Sequence, residues 1–102
     1  MNVKELLSRY AAGQRDFRNL NLIAANLRNL NLSGANLSGS NLTKANLMRT
    51  NLSYANLTNA ILTGADLTET NLTKANLTNV NLSDVNLSLS NTRGAIMPHV
   101  AK

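Results

Sequence analysis

Acid–base or metal chemistry in this chain would have to come from five carboxylates, Glu5, Asp16, Asp66, Glu69 and Asp84, and one histidine, His99. Paired carboxylates can divide general acid and base work, and a histidine beside carboxylates can hold a metal. The spacing supports neither. Asp66 and Glu69 are close in sequence, but no nucleophile, base and orienting group converge on them. His99 stands alone near the C-terminus, and without cysteine there is no thiolate site or disulfide. Gly34, Gly39, Gly64 and Gly94 are spaced as turn residues and not as a phosphate-binding loop. No catalytic residue, cofactor or metal is therefore expected, and the chain reads as a non-enzyme.

The net charge of +5 can point to an anionic partner. Here the cations are scattered: Lys4, Arg9, Arg15, Arg18, Arg28, Lys44, Arg49, Lys74, Arg93 and Lys102 form no run. Tyr10, Phe17 and Tyr54 are the only aromatic residues, so stacking platforms for single-stranded nucleic acid are missing. Nucleic acid is not an expected partner. No apolar run is long enough to span a bilayer, and Met1 to Tyr10 lacks the features of a secretory signal. The expectation is a cytoplasmic chain with no membrane partner.

What must position these side chains is a leucine that returns every fifth residue, in phase with Phe17, from Leu22 to Leu87. Two residues before it stands a small or apolar residue, Asn or Asp lies between, and Ser or Thr usually follows. In an α-helix, five residues turn the chain by about 140° net, so the leucines would spiral over every face. In a straight strand an odd period would alternate them between faces. One face is served only if the chain bends once per five residues and winds as a solenoid.

The runs Ala35-Asn36-Leu37-Ser38-Gly39, Ala45-Asn46-Leu47, Ala55-Asn56-Leu57-Thr58-Asn59, Ala65-Asp66-Leu67-Thr68 and Ala75-Asn76-Leu77-Thr78 resemble the A(D/N)LXX motif of the pentapeptide-repeat proteins. The array covers Arg15 to about Met97, and Tyr10 to Phe17 also looks like the start of short cyanobacterial members. The resemblance implies an all-β solenoid: a right-handed quadrilateral β-helix of about four coils, four pentapeptides to each. The expected organisation is a capping α-helix and linker over 1–14, the β-helix over 15–97 and a tail over 98–102.

With four pentapeptides per coil, residues twenty apart stack, giving four inner columns. They run Phe17, Leu37, Leu57, Leu77, Met97; Leu22, Leu42, Leu62, Leu82; Leu27, Leu47, Leu67, Leu87; and Leu32, Leu52, Leu72, Thr92. A further inner column, Leu30, Thr50, Thr70 and Ser90, is polar enough to need hydroxyl bonds to nearby backbone. The Asn residues are expected to ladder along the outside. Residues 2–12 read as a cap: Asn2 and Glu5 have capping-box spacing, and Leu6, Leu7 and Tyr10 share a helical face that should cover Phe17 and Leu22. At the other end Thr92 replaces leucine and Pro98 cannot donate to a strand, so the last coil is expected to fray there. Family members pair end to end through such a C-terminus, so monomer and C-terminal end-to-end homodimer are both open.

Any specificity then falls to the outer residues. Arg49 and Glu69 should form a salt bridge between adjacent coils, and Tyr54 and Lys74 a cation–π contact. Among outward apolar residues, Ile23 and Ile61 share a face and make a small candidate patch. The functional expectation is a scaffold or interaction module for an unknown protein partner. Two alternatives are weighed against it. A DNA-mimic inhibitor of a topoisomerase needs an acidic surface, and a binder of an anionic partner needs one clustered basic face.

Overall fold

A five-residue repeat can turn its corners only if one residue per repeat accepts the left-handed backbone region. In the computed structural model, which describes residues 1–99, every fifth residue from Asn19 to Gly94 has positive φ, except Leu89. Each corner is a tight turn, as where Ala25 N–H donates to Leu22 O at 3.1 Å around Ala24. A positive φ at the third turn residue alone is the mark of a type II turn.

The asparagines set these corners. The Oδ1 atoms of Asn21, Asn36, Asn46, Asn56 and Asn76 each accept the N–H two residues on, at 3.0–3.2 Å. This corrects the expected outer ladder. The side-chain oxygen is consumed locally, because an Asx turn holds the chain at the start of each bend. Aspartate does the same work at Asp66, whose Oδ1 accepts Thr68 N–H at 3.0 Å.

Between coils the backbone pairs in a parallel register of twenty. Bridges join Asp16 to Asn36, Asn36 to Asn56 and Asn56 to Asn76, and the other faces follow the same offset. In a typical rung, Leu37 N–H donates to Asn56 O at 2.8 Å and Asn56 N–H to Ala35 O at 2.9 Å. Twenty residues with a corner every five make a four-sided coil, and the whole measures 42 × 23 × 22 Å. The inner columns are dry: Leu27 through Leu62 at the central positions are fully buried. Ser40, Thr50 and Thr70 are buried beside them, and their hydroxyls donate to the carbonyls of Phe17, Leu27 and Leu47 at 2.6–3.0 Å. No buried side-chain polar atom among the described residues lacks a partner.

Helix α1, Val3–Ala11, lies against the first coil. Asn2 caps it by accepting Glu5 N–H at 2.8 Å, and Leu6 is fully buried in the core with Phe17. Tyr10 packs against the same core, and its hydroxyl donates to Ser33 O at 2.7 Å.

The ladder fails on two adjacent faces of the last coil. The bridges that would join Ile61 to Asn81 and Asp66 to Asn86 are missing among the described residues, whereas Asn71–Asn91 and Asn76–Ile96 are intact. Leu82 and Leu87, on the last coil with none stacked beyond it among the described residues, are only half-buried. The opening therefore precedes Thr92, where fraying was expected. Two features set the segment apart. Leu89 is the one corner residue that does not take positive φ, and Glu69 N–H reaches Leu89 O in place of the Ser88 carbonyl. Val80 and Val85 also stand where the coil below has Ala60 and Ala65. Val100 to Lys102 of the expected tail lie outside the described residues.

Candidate functional site

With the inward positions committed to packing, the candidate site is the outer surface. Arg49 Nε lies 3.3 Å from Glu69 Oε2, with both side chains about half-exposed. The Lys74 ammonium lies 5.7 Å from the centroid of the exposed Tyr54 ring. The register that stacks the leucines also brings these outer pairs together. It does not do so for Ile23 and Ile61. Both are exposed, but they sit on the first and third coils of one face, with Asn41 and Thr43 on the coil between.

Four faces can be named from their second-coil leucines. The Leu47 face, with its two corners, carries Arg28, Lys44 and Arg49 on coils one and two. On coils three and four it carries Asp66, Glu69 and Asp84. These are all the acidic residues that follow Asp16. Sequence reasoning missed this segregation, although the twenty-residue register applied to charges would have found it. Arg28, Lys44, Asp66 and Asp84 make no ion pair among the described residues. Thr68 bonds hold the Asp66 carboxyl below its ordinary pKa, chiefly through the hydroxyl and then the backbone N–H. At the N-terminal end Arg18 does the same for Asp16, bonding it at 2.8 and 3.0 Å. Another contact missed from sequence is Arg15, whose guanidinium stacks 3.6 Å from the Tyr10 ring centroid and ties the cap to the first coil.

Two concavities interrupt the flat walls. A groove of about 450 Å³ opens at the C-terminal end between Val80–Ser83 and Met97–His99. A smaller crevice of about 270 Å³ lies where the rungs are missing, between residues 64–68 and the pair Asn86 and Leu89. No group of three metal-ligating side chains occurs among the described residues, and no helix there is long and apolar enough to cross a membrane.

A family model described as pentapeptide repeats matches the chain in eight copies, over residues 16–53 and 50–88. Among solved structures, the chain is similar to alr5209, a pentapeptide repeat protein from Nostoc PCC 7120. The identity is 33% over 99% of this chain and 88% of that one, with a TM-score of 0.80. It is also similar to HetL, a pentapeptide repeat protein involved in heterocyst differentiation regulation from the cyanobacterium Nostoc sp. strain PCC 7120. There the identity is 38% over 93% of this chain, with a TM-score of 0.53. This chain spans 46% of the length of HetL. No curated protein matches it.

Proposed function

The chain belongs to the pentapeptide-repeat family, whose fold is a right-handed quadrilateral β-helix, and on that premise we propose that it is a non-catalytic module for protein interaction. The observation that carries this reading is where its polar chemistry goes. Asparagine and aspartate oxygens are spent on corners, and inward hydroxyls are spent on backbone carbonyls. What remains free is a set of outward side chains on flat, mutually braced walls. Arg49, Glu69, Tyr54, Lys74, Ile23 and Ile61 are the contacts proposed for a protein partner. The likeness to HetL, itself involved in regulation, supports an interaction role.

The rigid wall matters energetically. The ladder fixes the backbone before a partner docks, so only the outer side chains lose entropy on binding. Topoisomerase inhibition by DNA mimicry fits poorly with a net charge of +5. The test is cross-linked capture from the native host by wild type and by the R49E/K74E variant. A partner lost with the variant supports the module. Salt-sensitive DNA binding by the purified chain would overturn it, and inhibition of gyrase supercoiling would put the topoisomerase reading in its place.

A further inference from the structure

The Leu47 face divides by charge along the rod. Arg28 and Lys44 lie on the first two coils, Asp66 and Asp84 on the last two, and all four are exposed without an ion partner among the described residues. Arg49 and Glu69 sit at the boundary, already paired with each other. Such a face is complementary to itself only when one copy is reversed.

We propose that this face binds a second copy of the chain, antiparallel, as a side-by-side dimer. A two-fold axis in the plane of the face, between coils two and three and perpendicular to the rod, lays coil two on the partner's coil three. Arg49 then stands opposite the partner's Glu69, and Glu69 opposite the partner's Arg49, so the two intrachain pairs close into an alternating cluster of four. Lys44 meets the half that holds the partner's Asp66 and the partner's Asp84. Parallel docking would set cation on cation and acid on acid.

The face is 23 Å across at most. Four rungs at about 4.8 Å give roughly 400 Å² per copy, the small and transient end of protein interfaces. The dimer is therefore weak, fast and held largely by charge. It needs no foreign partner, so its absence would leave the interaction-module reading standing.

Sedimentation of the full chain at low and high salt tests it. The expected result is concentration-dependent dimer below about 1 mM at low salt, weakened roughly tenfold at ~0.5 M salt. The variant R28E/K44E makes the face acidic, and D66N/D84K makes it basic. These substitutions respect the backbone, since Asn serves the Asx corner elsewhere and Lys and Glu already occupy positive-φ corners. Each variant alone should sediment as monomer with unchanged circular dichroism, and an equimolar mixture should recover association. Monomer throughout at low salt overturns the proposal, as does a mixture that fails to associate. A dimer indifferent to salt and to both variants also overturns it and puts the contact at the C-terminal end.

Discussion

Residues 41–49 and residues 81–89 occupy the same two sides of the solenoid two coils apart and follow the same motif. Both place Asn before Leu twice, and both bond asparagine oxygen to the N–H two residues on. In the first segment Leu42 and Leu47 are fully buried, and Asn41 and Asn46 donate down to Leu20 O and Ala25 O. In the second the corresponding rungs are gone and the leucines are half-buried. Local turns thus form without the ladder, and the leucines there also lack a further coil to cover them among the described residues. The differences lie at the corners: Ser40, Ala45 and Arg49 in the one, Val80, Val85 and Leu89 in the other.

The largest expected contrast comes from truncating leucines in the two regions. Leu57→Ala, in the middle of a closed column, should cost about 2–5 kcal/mol in urea unfolding, whereas Leu82→Ala should cost under ~1 kcal/mol. Equal losses would break the comparison. Corner glycines give a smaller contrast. A methyl at Gly39 would meet the free end of the exposed Asn19 side chain, which can swing aside, while at Gly94 it meets Lys74 Cγ close to the backbone. Both positions have positive φ, so each substitution should cost about 1 kcal/mol, with the larger loss at Gly94, read from thermal melts.

Leu89→Asn tests the cause of the opening directly. Asparagine takes positive φ at Asn19, Asn29, Asn59 and Asn79. The substitution should let the corner close and stabilise the chain by about 0.5–1 kcal/mol. The sharper readout is amide exchange. The Leu62 and Leu67 N–H groups should exchange faster than those of Leu42 and Leu47 in the wild type, and slow in the variant. No change in protection would shift the blame to the valines.

The smallest effect concerns acid. Asp66 has a depressed folded pKa, so its contribution is present above the ordinary carboxylate value and is lost as pH falls through the folded one. Stability should be flat from neutrality to about pH 5 and decline below about pH 4. Asp66→Asn keeps the corner bond and should make that decline shallower in pH-dependent melts.

The leucine columns were legible in the sequence because side-chain identity repeats at every inward position. Asn2, Glu5, Leu6 and Tyr10 carry helix signals in one short run, where the structure places α1. The outer pairs Arg49–Glu69 and Tyr54–Lys74 followed from the register alone. The opening at 81–89 is not visible in the motif, because Leu82 and Leu87 keep it there and the segment departs in a backbone angle at Leu89. Leu89 is an exposed apolar residue, but what sets it apart from the other corners is its φ. The asparagine ladder was misread for a similar reason: sequence shows a stack of amides and does not show that each oxygen is already engaged two residues on.

The twenty-residue register has a consequence for how such a rod can change length. Duplicating one pentapeptide would leave every downstream leucine pointing inward, so the core would survive. Every outer residue beyond the insertion, however, would advance a quarter turn around the axis. Arg49 would part from Glu69, and the acidic half of its wall would move to the next side. Only gains or losses of whole coils preserve the alignment of distant surface features. The rod therefore behaves as an indexed dial, in which the core counts in fives and the surface counts in twenties.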